Sequence, residues 1–218
     1  MSSSDRDIAR AIGARDVLRP QAPGEWRRKP KAWLSNVDID SVMKQYERVM
    51  PGFDYLGTWS SDFSEYARGL ARRCVHMCTP SPLTQAVRKR RLAAAVVNLD
   101  AHTGPGTHWV AFALDGRGRE PRVMYYDSTG RPPPKTWLTG SAWALIAAAM
   151  PTRKGRHRLL AGARYNRNRH QRGNSECGVF SIMMIDALIR GVSFEDHCAS
   201  PTRDADAFQK RHAFFDLS

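Results

Sequence analysis

The chain has 218 residues and 24.5 kDa, with 42% hydrophobic and 25% charged residues, a composition that supports a buried core and excludes wholesale disorder. Its 34 Lys and Arg against 21 Asp and Glu leave a formal charge of +13, which makes an acidic partner such as nucleic acid a reasonable expectation but fixes neither fold nor chemistry. Four Cys are too few for a disulfide scaffold, MSSSDRDIAR is no secretory signal, and the longest apolar run (142–150) is far short of a membrane span, so a soluble, unsecreted chain with free thiols is expected.

Residues 1–25 are rich in Ser, Arg, Asp and Pro without a sustained period, and predict a flexible N-terminal arm before a single domain at 26–218. A basic patch at 26–31 follows. Asn36 or Asp38 is placed to cap a helix carrying Val42, Met43, Tyr46 and Val49, which Pro51-Gly52 ends. The aromatic-rich stretch 53–66 reads as irregular. Leu92–Leu99 is a short apolar run and predicts a buried strand. WVAFAL (109–114) and RVMYYD (122–127) flank the turn formers DGRGREP and predict a hairpin. Residues 136–150 predict a helix and 157–165 a strand. Cys177–Arg190 is apolar on nearly every side and stops at Gly191, the pattern of a buried helix. Central strands with helices before and after them indicate an α+β domain.

The chemistry-bearing residues lie in GTHWVAF (106–112), YYDS (125–128) and HQRGNSECGVF (170–180). A hairpin loop centred near Arg117 and Gly118 makes opposed residue numbers sum to about 235, so Leu114 faces Pro121 and His108 faces Asp127. An imidazole and a carboxylate so opposed can hydrogen-bond, which fixes the His tautomer and favours the imidazolium. Cys177 sits where a polar loop becomes an apolar helix, and the helix start and a nearby imidazolium both favour the attacking thiolate. The Cys177 amide is free at the helix start to donate to an oxyanion, and Gln171 offers a second donor. Gly178 leaves room for a substrate backbone. Each feature alone is ordinary: a structural His, a turn Asp, an inert core Cys. Their combination in the order His, Asp, Gln, Cys favours nucleophilic catalysis.

That order, with His108-Trp109, then Asp127-Ser128 after eighteen residues between the His and the Asp, and Gln171 separated from Cys177-Gly178 by five residues, resembles the adenain/ubiquitin-like-protease clan of cysteine peptidases. Within it the chain is similar to the polyprotein-processing proteases of large nucleocytoplasmic DNA viruses. The likeness runs from about Val96 to the C-terminus and is most specific at 168–178. The tail 204–215, with Phe208, Lys210, Arg211, His212 and Phe214, is also similar, and 33–66 more loosely. The resemblance implies a papain-like α+β fold, a central mixed sheet flanked by helices, with the nucleophile at the start of a buried helix. It implies Cys177 as nucleophile, His108 as general base and acid, Asp127 as orienting group, Gln171 with the Cys177 amide as oxyanion hole, and Trp109 as the wall of a narrow substrate channel. It further implies cleavage after Gly-Gly-X or Gly-X-Gly type sequences, maturing viral structural polyproteins at the assembly site and in the virion, without a cofactor or metal. The family's Trp-Leu-Asn-Asp run reads Trp33-Leu-Ser-Asn-Val-Asp38 here, so Trp33 is not carried over.

Two readings compete: removal of SUMO or ubiquitin from host proteins, and, from another class, a basic nucleic-acid-binding virion protein. Cys74-Val-His-Met-Cys78 hints at zinc, but His102 and Cys198 complete no standard ligand pattern. The basic clusters at 27–31, 68–73, 88–91, 153–158 and 164–172 carry no nucleic-acid fold motif, so any DNA association through them is sequence-independent.

Overall fold

A computed structural model describes residues 19–63, 86–87, 89–135 and 152–217. The predicted helix at 136–150, the Cys74–Cys78 cluster, the basic residues 68–73 and most of the predicted arm lie outside these residues.

Five strands form one mixed sheet in sequence order: β1 (Phe53–Ser60), β2 (Leu92–Asn98), β3 (Trp109–Asp115), β4 (Arg122–Tyr126) and β5 (Arg164–Tyr165). The outer pairs are parallel, while β2–β3 and β3–β4 are antiparallel. β2 and β3 are apolar at consecutive positions because both their faces are covered. On one face Ala94, Val96, Ala111, Ala113, Met124 and Tyr126 pack against helices α1 (Asn36–Val49) and α3 (Cys177–Ile189). On the other, Val97, Phe112, Leu114 and Tyr125 meet Trp59, Phe63 and Leu159. The chain is therefore α+β.

The buried helix at 177 is present as predicted, and Gly191 at φ +82° ends it in the left-handed region that side chains avoid. The first helix also forms, but its cap is Ser35. The Asp38 amide donates to Ser35 Oγ at 3.2 Å, and the Asp38 carboxylate accepts from the Ser35 amide at 2.8 Å, a capping box.

Three expectations are corrected. Residues 53–60 are a strand, disguised in sequence by Gly57 at φ +99° and a bulge between Tyr55 and Thr58. Residues 153–161 are helix α2 (Arg153–Ala161), because Thr152 Oγ1 caps the Gly155 amide and only Leu159 is buried on this basic helix; the strand is confined to Arg164–Tyr165. The hairpin register is offset by two, with Leu114 opposite Val123 and Asp115 opposite Arg122. Asp115 bonds the amide and guanidinium of Arg117, which sets the turn centre one residue later. A two-residue offset preserves the face of every side chain, whereas one residue would invert it.

Short helices α4 (Phe194–Ala199) and α5 (Asp204–Phe214) complete the described chain. Residues 20–22, placed in the arm by the sequence, run beside the C-terminal segment: Ala22 donates to the Asp216 carbonyl at 2.7 Å and the Asp216 amide to Pro20 at 2.9 Å. Among the described residues no helix is long and apolar enough to cross a membrane.

Candidate active site

His108 immediately precedes β3 and Asp127 immediately follows β4. The loop before His108 is organised by two side chains. Asn98 Oδ1 accepts from the Asp100 and Thr107 amides, and Asp100 Oδ2 accepts from the Gly106 amide. Gly106, at φ +86°, passes tightly over the Asn98 amide group. The register offset makes His108 and Asp127 diagonal neighbours, and the longer reach of the imidazole closes the gap. His108 Nε2 lies 2.7 Å from Asp127 Oδ1. The Thr129 amide (2.8 Å) and hydroxyl (2.7 Å) donate to the same oxygen.

Asp127 is 1% exposed. Burial alone would raise its pKa, but the His108 bond and charge and the Thr129 donors hold it below the ordinary carboxylate value. His108 responds oppositely: burial would lower it, but Asp127 and the approaching Cys177 push it up to about 9. Cys177, a buried free thiol, is the first residue of α3 and stands against the ring whose Nε2 is given to Asp127. The structure thus brings His108, Asp127 and Cys177 together.

Gln171 is held by a contact the sequence did not reveal. Ser128 Oγ donates to Gln171 Oε1 at 2.6 Å, while the Ser128 carbonyl accepts the His170 and Gln171 amides, both at 2.9 Å. Gln171 Nε2 gives one proton to the Gly173 carbonyl at 3.1 Å, leaving its second N–H for another acceptor. Asn166 ties the same loop to the strand end, donating to the Asp127 carbonyl at 2.9 Å. Ser128 stood beside Asp127 in the sequence, but its task depends on a partner 43 residues away.

Trp109 donates from Nε1 to the Leu34 carbonyl at 2.9 Å and walls a groove of about 660 Å³. Trp33, left aside by the sequence reading, lines the same groove with Trp59, Phe63, Asn98 and Pro105. Gly178 is not an open approach for substrate backbone. It is buried, and a Cβ there would meet Leu34 at 3.2 Å and Ile39 at 3.4 Å. Its missing side chain admits the Leu34 wall that Trp109 grips.

Behind the site, buried His170 takes its proton on Nε2, because the Cys198 carbonyl at 3.0 Å can only accept, and Nδ1 accepts from Tyr126 at 2.7 Å. His197 packs edge-on to Tyr126 with an unpartnered Nε2, and burial, helped by nearby His170, pushes it down to about 4. Its ordinary value of 6.5 applies once unfolded, so the unfolded chain gains protons first. His197 therefore contributes stability in full above about pH 6.5, and loses about 3 kcal/mol as pH falls to about 4. Denaturant midpoints measured from pH 7.5 to 4 are expected to fall across that window and to flatten in His197→Phe, which keeps the ring packing. An equal slope in both proteins would refute this. Cys198 is a buried thiol raised to about 12 by burial and by Glu195, with no helix start behind it. Among the described residues no group of three His, Cys, Asp or Glu is arranged to hold a metal ion.

The mixed sheet, the helix that begins on a cysteine and the His–Asp pair facing it define the class: a cysteine-peptidase domain. Residues 84–216, more than half of the chain, match the Ulp1 protease family, C-terminal catalytic domain, and the chain belongs to that family. It is 28% identical over 187 residues to R355 of Acanthamoeba polyphaga mimivirus, named as a thiol protease, covering 83% of this chain and 56% of that one. It is 29% identical over 188 residues to cysteine protease S273R of African swine fever virus, covering 85% and 59%. The chain thus spans little over half the length of these relatives. Its fold superimposes on crystalline pS273R with a TM-score of 0.67 at 19% identity, covering 98% of this chain and 79% of that one. It superimposes on the Ulp1 protease domain in complex with Smt3, the yeast ortholog of SUMO, with a TM-score of 0.53 at 15% identity, covering 98% and 92%.

Proposed function

We propose that the chain is a cysteine endopeptidase. The observation that carries this is the His108–Asp127 bond of 2.7 Å facing a free cysteine at a helix start. Cys177 thiolate attacks the scissile carbonyl. The oxyanion takes the Cys177 amide and the spare Gln171 N–H. His108 protonates the leaving amine and then activates the water that hydrolyses the thioester, while Asp127 orients the ring and stabilises its charged form. Ser128 aims the Gln171 amide by holding its oxygen.

The substrate has small residues ahead of the cleaved bond, of the Gly-Gly-X or Gly-X-Gly kind. Support for this reading comes from the groove that Trp33, Leu34 and Trp109 line, whose wall is fixed by the Trp109 bond to the Leu34 carbonyl. The natural substrate is a viral structural polyprotein, matured in assembling particles, in line with the viral relatives. The experiment offers purified protein Gly-Gly-X and Gly-X-Gly peptides beside SUMO and ubiquitin fusions. Cutting of the peptides after Gly is the expected result, and failure to cut any of them sinks the proposal. Cutting confined to the fusions moves the substrate to ubiquitin-like conjugates, the reading favoured by a relative named SUMO-1 cysteine protease.

The basic surface gives the protein a second property in this proposal, weak sequence-independent attachment to DNA. Arg27, Arg28, Lys29, Lys31, Arg167, Arg169 and Arg172 are exposed. Affinity falls steeply with salt. A gel-shift titration without binding at low salt excludes it.

A further inference from the structure

Arg211 is the largest fully buried side chain among the described residues. Its position on α5 gives no hint of burial in the sequence. In the structure it lies 4.3 Å above the Trp26 ring and forms a two-pronged pair with Glu176, Nε to Oε2 at 2.8 Å and Nη2 to Oε1 at 2.9 Å. Its remaining N–H groups reach the carbonyls of Pro30 (3.1 Å), Ala32 (2.9 Å) and Ser175 (3.4 Å). One guanidinium thus joins the residue before Cys177 to the segment that carries Trp33 and Leu34.

Glu176 is the N-cap of α3, yet its carboxylate caps nothing there. A free carboxylate at that position would turn towards the amides of the first helical turn and would set a negative charge beside a nucleophile that works as an anion. Arg211 prevents this by drawing the carboxylate away and neutralising it.

We infer that Arg211 is a positioning residue that withdraws Glu176 from the start of α3 and fixes the Trp33–Leu34 groove wall against it. This rests on the proposed role of Cys177. It separates two effects: loss of the Glu176 clamp lowers kcat, and loss of the Pro30 and Ala32 contacts raises KM.

The test compares wild type, Arg211→Met, and Arg211→Met combined with Glu176→Met, on a Gly-Gly-X peptide. Active sites are counted by stoichiometric alkylation of Cys177, and thermal midpoints are recorded. The double variant leaves no buried charge unpaired, and exchange of an ion pair for apolar side chains is commonly tolerated. In the single variant kcat per titrated site falls about 10²-fold and KM rises. In the double variant kcat recovers most of that loss while KM stays raised. A purely structural arginine changes only the midpoint and the number of titratable sites. Wild-type kcat and KM per site in the double variant, with no kcat loss per site in whatever single variant folds, overturn the assignment. A double variant whose kcat stays down overturns the Glu176 step. A wild type that cuts nothing sinks the functional reading and this one with it.

Discussion

Cys177→Ala is expected to abolish peptide cleavage, with kcat falling on the order of 10⁶-fold, because every later step proceeds through the thioester that its sulfur forms. The fold tolerates the change. Cys177 is the first residue of α3 and its sulfur makes no disulfide, so alanine removes one buried atom from a helix anchored by Val179, Phe180, Ile182 and Ile185. Binding should survive, since the groove walls at Trp33, Trp59 and Trp109 are untouched. The variant should therefore hold a Gly-Gly-X peptide with near wild-type affinity by fluorescence titration while leaving it uncut. Residual cutting sensitive to thiol reagents would implicate another cysteine. Cutting at the wild-type rate would remove Cys177 from the mechanism.

The pieces of this site differ in how plainly the sequence announces them. Cys177–Ile189 was legible because a helix buried on nearly every side is written as an apolar run, broken only by Ser181 and Asp186, that Gly191 ends. The hairpin was legible from two β-rich runs around turn formers, and even the offset register kept His108 and Asp127 on one face. β1 was not, because Gly57 and a bulge break the alternation on which a strand reading depends. α2 was not, because a basic surface helix with one buried leucine has almost no apolar stripe. Long-range polar pairings were the least legible of all. Gln171 was singled out as a donor, but its bond to Ser128, like that of Glu176 to Arg211, joins partners too far apart in the chain for any local pattern to pair them. Trp33 illustrates the reverse: a departure from a family motif argued against a residue that the backbone still delivers to the groove.

His108→Ala should cost about 10²–10⁴ in kcat/KM, since both proton transfers lose their carrier while the nucleophile and oxyanion donors remain. The pH profile carries the sharper test. His108 is raised to about 9 although burial opposes it, because Asp127 and Cys177 favour its charged form. The imidazolium is thus the resting state at neutral pH, and it is the acid needed by the leaving amine. As pH rises through about 9 that proton is lost, so kcat/KM should fall on an alkaline limb near 9. The same shift adds stability that is complete below the unfolded value of 6.5 and disappears as pH rises towards 9. Asp127→Asn tests the cause. Its amide can still orient the ring but no longer opposes a positive charge, so the rate loss is smaller than in His108→Ala and the alkaline limb moves to lower pH. An Asn variant whose limb stays near 9 would mean that the carboxylate does not set the imidazole's charge, and the buried 2.7 Å bond would then be only a structural tie between the two strand ends.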